Sequence, residues 1–174
     1  MILLQLTLKK HTTMKNTHQA ATAVAATYYD SVPNRRLSAH FSLREFVMSA
    51  TAVRHSLPNL PDADTERRLK ALCDNVLEPL RRRFGRILIT SGYRSPKVNA
   101  LVGGVPTSQH VRGEAADLFI PSNDVGEKMF AYIQANLPFD QLIFERNRKS
   151  GTRWLHVSYC EDRKCRHQAF RMEK

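Results

Sequence analysis

Leu69, Leu72, Cys73, Val76, Leu77 and Leu80 recur at intervals of three and four, the spacing of one face of an α-helix. Arg67, Arg68, Lys70 and Asp74 fall on the other side, Asp64-Thr65-Glu66 opens the run, and Gly85 stops it. A helix with a single apolar stripe has to bury that stripe against a second layer. One further segment has the same period: Asp124 to Leu137, with Val125, Met129, Phe130 and Ile133 facing inward. The remaining apolar runs are strand-length: Ile87–Thr90, Ala115–Ile120, Asp140–Glu145 and Trp154–Tyr159. A basic turn containing Ser150-Gly151 joins the last two as a hairpin. Ser42 with Glu45 three residues on reads as a capping box, opening a short helix that carries Phe46, Val47 and Ala50 toward the core. Pro58 and Pro61 end that segment, and a short helix over 97–102 precedes the Gly103-Gly104 loop. The expected fold class is α+β, a single domain with a small, mainly antiparallel sheet flanked by helices.

At 174 residues the chain suits one domain. Residues 1–37 are polar and Thr- and Ala-rich and read as a flexible lead-in, residues 38–162 as the domain, and 163–174 as a basic tail. Met1 to Leu8 is apolar, but it is short and Lys9 and Lys10 follow it instead of preceding it, so it does not read as a secretory signal. Met14 is an alternative start. The expected location is therefore cytoplasmic, with access to an external target through lysis or non-classical export. No stretch approaches the roughly 18 apolar residues of a membrane span.

Lys and Arg number 27 against 16 Asp and Glu, a net charge of +11. Such a surplus suits a polyanion (nucleic acid, anionic lipid or a wall polymer), or is simply a basic solvated surface. The basic groove with stacking aromatics that nucleic acid binding requires is not found, so no nucleic acid partner is expected. Three cysteines are an odd count. Cys73 lies on the apolar helix face, while Cys160 and Cys165 read either as a small hairpin disulfide or as two reduced thiols. They lack the second ligand pair of a structural zinc site.

Two of the seven histidines stand in patterned surroundings. The first belongs to Ser108-x-His110-x-x-Gly113-x-Ala115-x-Asp117, in which a loop histidine is followed by a strand aspartate with small residues between. The second, His156, sits mid-strand between Leu155 and Val157, where a buried imidazole needs a partner. A catalytic zinc takes three N and O ligands and keeps a fourth position for water, and these three residues supply such a set.

Four pieces together resemble the M15 zinc peptidases, the D-alanyl-D-alanine carboxypeptidase and L-alanyl-D-glutamate endopeptidase group, especially its small stand-alone domains. They are Phe41-Ser42-Leu43-Arg44-Glu45-Phe46, Thr90-Ser91-Gly92-Tyr93-Arg94-Ser95, the His110–Asp117 motif, and Trp154-x-His156-x-Ser158, spread between Leu37 and Tyr159. The resemblance implies a Hedgehog- or DD-peptidase-like fold and one zinc ion per chain on His110, Asp117 and His156. It also implies hydrolysis of amide bonds in peptidoglycan stem peptides, with Arg94, Ser108, Tyr93 and Trp154 against the substrate and Arg94 also serving the developing oxyanion. Many members of that family place a general-base Glu three residues before the last histidine, and here that position is Arg153. Glu145, at the end of the preceding strand, is the expected substitute if strand register turns it to the His156 face. Glu114 is a weaker candidate, and Asp140 a candidate for orienting a ligand imidazole. Two other readings stay open: a zinc-containing wall-binding module without the base, and a signalling-type domain of the same fold. A monomer is expected.

Overall fold

In the computed structural model, which describes residue 30 and residues 32–173, the Ser42 capping box forms as its residues predict. Glu45 Oε2 accepts from the Ser42 N–H at 2.7 Å and starts α1, Leu43–Val47. That helix ends sooner than the apolar pattern suggests. Ser49 accepts from the Ala52 N–H and opens a separate helix α2, Ala50–Arg54, so Ala50, expected in the core, is exposed.

The long helix is capped by Asp62, which accepts from the Thr65 N–H at 2.8 Å, and it closes at Gly85 with φ +80°. It runs in three pieces: α3 Ala63–Leu72, a π-helical turn Cys73–Leu77, and α4 Glu78–Phe84. Pro79, at the start of α4, accounts for the wider turn. It has no N–H to give the carbonyl one turn back, and its ring would crowd that carbonyl in a straight α-helix. The stripe still points one way: Leu69, Leu72, Cys73, Val76, Leu77 and Leu80 are all fully buried.

After β1, Ile89–Ser91, come α5 (Pro96–Leu101), β2 (Ala115–Phe119), α6 (Asn123–Asn136), β3 (Gln141–Arg146), β4 (Arg153–Ser158) and β5 (Gln168–Glu173). The sheet order is β1-β2-β4-β3-β5; every pairing is antiparallel except β3 with β5. The architecture is the expected α+β, with two differences. Ile87–Thr90 is not a buried strand: β1 is an edge, and although Ile87 is buried, Leu88 is 42% exposed. The second concerns residues 163–174, expected to be a tail. Gln168–Glu173 instead forms β5, where Gln168, Ala169, Phe170 and Met172 lie beside Gln141, Leu142, Ile143 and Glu145. Alternating exposed and half-buried residues on an edge strand carry little apolar signal, which is why composition alone reads this stretch as tail.

Side chains alternate across a strand, so each interior strand contributes to both faces of the sheet. Ala116, Leu118, Leu142, Phe144, Leu155 and Val157 face the helices and join the core built by α3, α4 and α6. Phe84 of α4 and Tyr132 of α6 meet edge-to-face at 5.5 Å, locking the two helices together. The other face carries Asp117, Ile143, Glu145, Trp154 and His156, and no helix among the described residues seals it. Cys160 and Cys165 lie with their Sγ atoms 3.2 Å apart, both free thiols, and burial pushes Cys160 up to about 12. No helix among the described residues is long and apolar enough to cross a membrane.

Leu118 and Leu88 test this division of the sheet. Leu118→Ala should cost about 2–5 kcal/mol in urea unfolding, the loss for a fully buried leucine. Leu88→Ala should stay within about 0.5 kcal/mol, as expected for an exposed position. Equal losses would contradict the edge placement of β1.

Candidate metal centre and its cleft

The centre begins with two close backbone approaches. A Cβ on Gly92 would lie 2.6 Å from the backbone of Phe46, so only glycine lets this turn press against α1. Its carbonyl then reaches His110, whose Nδ1 lies 2.7 Å away and donates to it. Gly113, at φ +73°, makes the reversal between His110 and β2, and a Cβ there would meet the Thr65 carbonyl of α3 at 2.5 Å. The loop is tied further by the Arg94 N–H to the His110 carbonyl and the Glu114 N–H to the Gln109 carbonyl.

Asp117 and His156 stand directly opposite each other on β2 and β4. Asp117 Oδ1 is 3.0 Å from His156 Nδ1 and 3.3 Å from His110 Nε2, while Oδ2 accepts from Arg94 Nη2 at 2.8 Å. All three side chains are buried, and a set of their ligand atoms falls within 4.8 Å of one another. The donor set fits a metal. Two donors each about 2.1 Å from a tetrahedral zinc lie about 3.4 Å apart, close to the separations seen here. The tautomers fit too: Gly92 holds the Nδ1–H of His110, so Nε2 presents its lone pair to the site.

The electrostatics keep His110 and Asp117 in the forms a cation needs. Burial lowers His110 below the ordinary imidazole range, with Asp117 opposing, and so favours the neutral ring. Burial alone would raise Asp117, but His110 and His156 hold it far below the carboxylate range. It stays an anion at any physiological pH.

The remaining expected site residues are distributed around a cleft of about 1360 Å³ that opens over this face. Glu145 is opposite Trp154, and each lies two residues from a member of the Ile143–His156 pair, so both share the His156 face. Glu145 lines the cleft and is only 3% exposed. Arg153, by the same alternation, belongs to the opposite face. Arg94 lines the cleft with its guanidinium engaged by Asp117 and, through Nε, by Ser91 Oγ at 2.9 Å. Ser108 lines it too, and its Oγ accepts from the His110 N–H at 3.3 Å. Tyr93 lines the cleft while packing into the core, and Trp154 is half-buried in the wall. Glu114 is turned away from the metal ligands: its carboxylate is paired with Arg112 and Arg163.

Three contributors were not legible beforehand. Gln109, the unspecified residue inside Ser108-x-His110, donates from Nε2 to Asp140 Oδ2 at 2.6 Å and sets Oε1 3.4 Å from His156 Nε2. Asp140 therefore reaches the imidazole through Gln109 rather than directly. Arg163 and Arg166 come from the segment read as a tail; Arg166 clasps Asp140 through its backbone N–H, Nε and Nη2. Burial would raise Asp140, but Arg166 brings it down to about 2.

No curated protein matches this chain. The family model described as Peptidase M15 matches residues 39–158. That span holds the capped helix α1, the Gly92–Arg94 turn, all three candidate ligands and Glu145. Its length, more than half of the chain, establishes the relationship: this protein belongs to the Peptidase M15 family.

Proposed function

We propose that the protein is a zinc-dependent metallopeptidase that hydrolyses amide bonds in bacterial peptidoglycan stem peptides, as a carboxypeptidase or an endopeptidase. The observation that carries this reading is the buried His110–Asp117–His156 group at the floor of an open cleft, with Glu145 on the same face of the sheet.

His110 Nε2, Asp117 and His156 Nδ1 would hold the ion. When bound, zinc supplies a Lewis acid that polarises a carbonyl and lowers the pKa of water to about 7. Glu145 takes the proton of the attacking water and returns it to the amide nitrogen as that nitrogen leaves. Its low exposure strengthens both transfers by excluding bulk water. Arg94 donates to Asp117 and so helps to orient it, and its planar fork keeps further N–H groups for a substrate carbonyl or carboxylate oxygen. Trp154 offers a flat apolar wall and Ser108 a hydroxyl along the same cleft. Peptidoglycan is favoured as substrate by charge: stem peptides carry free carboxylates, and the cleft is lined by Arg94, Arg112, Arg163 and Arg166 in a chain of net charge +11.

The test is digestion of purified sacculi followed by mass spectrometry of the released muropeptides. New amine and carboxylate ends should appear, vanish with a chelator and return with zinc. Intact muropeptides under all three conditions would overturn the peptidoglycan reading. Glu145→Gln should retain about one zinc per chain and lose about 10²–10⁴-fold in kcat, the range for general acid–base catalysis. Full activity in that variant would overturn the role given to Glu145. Arg94→Lys keeps the charge but not the fork, so its loss should appear in both KM and kcat.

A second reading, a metal-holding module that binds the wall without cutting it, is favoured only by Arg153 standing where many family members have their Glu. Zinc-loaded protein that binds sacculi and releases nothing would select it.

A further inference from the structure

His110 has its tautomer set by a backbone carbonyl, whereas the ring of His156 faces side chains, Asp117 at Nδ1 and Gln109 at Nε2. Its Nδ1 faces Asp117 at 3.0 Å, which makes Nδ1 the nitrogen that a shared cation would use. The proton then has to reside on Nε2, and the group facing Nε2 at 3.4 Å is Gln109 Oε1.

An amide presents oxygen on one side and NH₂ on the other, and only the oxygen can accept from an imidazole N–H. The orientation of Gln109 is decided at its far side. Nε2 lies 2.6 Å from Asp140 Oδ2, and an ionised carboxylate accepts only, so the NH₂ must face Asp140 and the oxygen must face His156. Asp140 is fully buried, and Arg166 contacts it from three donors: backbone N at 2.9 Å, Nε at 3.1 Å and Nη2 at 2.6 Å. A buried carboxylate without such a partner would be strongly unfavourable. Arg166 lies beyond the residues matched by the family model, and the chain after it is anchored by the Gln168 N–H on the Asp140 carbonyl and by β5.

We propose that Gln109 is a positioning residue for the metal centre. Its Oε1 accepts the Nε2–H that His156 carries when Nδ1 takes the cation, and Asp140, clamped by Arg166 from the C-terminal segment, holds the Gln109 amide in the orientation that can do so. Metal affinity is thereby tied to a segment that contributes no ligand. The inference rests on the reading of His110, Asp117 and His156 as a metal site.

Two measurements on the full chain separate the outcomes. In the zinc-loaded protein, ¹H–¹⁵N spectra of the rings should show the wild-type His156 Nε2–H protected from exchange with water. Gln109→Met, close in size but without the acceptor, should show that proton exchanging faster. Competition with a chromophoric chelator should then show zinc binding weakened about 10–100-fold in Gln109→Met, the usual loss for an orienting partner. The double variant Asp140→Asn with Arg166→Gln leaves Gln109 in place and removes the buried charge, so it answers the question even where Gln109→Met does not fold. Its asparagine can face Gln109 with either end, and zinc binding should weaken in the same direction. An Nε2–H that exchanges equally fast in wild type and Gln109→Met, or zinc affinity unchanged in both variants, would overturn the relay. Zinc failing to bind the wild type at all would instead overturn the metal reading, and the proposal with it.

Discussion

The pairing of Asp117 with His156 across β2 and β4 is the constraint on which the rest of this structure depends. Because side chains alternate, the register that sets these two opposite each other also turns Leu118 and Leu155 into the helix-covered core. A slip of one residue would send the leucines into the cleft and the ligands into the hydrocarbon layer. Core and site are thus two faces of one alignment. The hydrophobic term that drives α3, α4 and α6 onto the sheet is what holds the ligands in place.

Charge is the second organising element. Asp117, Glu114 and Asp140 are buried carboxylates, and each is met by arginine: Arg94 for the first, Arg112 and Arg163 for the second, Arg166 for the third. Buried anions persist only when paired and hydrogen-bonded, so part of the basic surplus is used to neutralise these carboxylates. The same arginines also line the cleft.

Much of the candidate site was legible in order along the chain. His110 and Asp117 are near neighbours joined by Gly113, and the motif specifies both the loop and the strand that follows. His156 was legible because a histidine inside an apolar strand run requires a reason. The capped helix at Ser42 and the apolar stripe from Leu69 to Leu80 are likewise local patterns, and both formed as expected. Where local pattern misled, a tertiary fact intervened. Ala50 lost its expected burial because Ser49 opened a new helix, and Leu88 lost its own because β1 sits at the sheet edge.

By itself, then, the sequence determined the candidate ligand set, the helix faces and the α+β class, since each follows from residue type and local pattern. Only the tertiary structure decided which face of the sheet Glu145 occupies, because period-2 alternation makes both faces equally readable until β3 is aligned with β4. It alone brought Gln109, Asp140 and Arg166 together, residues separated by 31 and 26 positions along the chain. It also alone turned Gln168–Glu173 into β5, because an exposed edge strand gains its hydrogen bonds from a neighbour rather than from any pattern of its own.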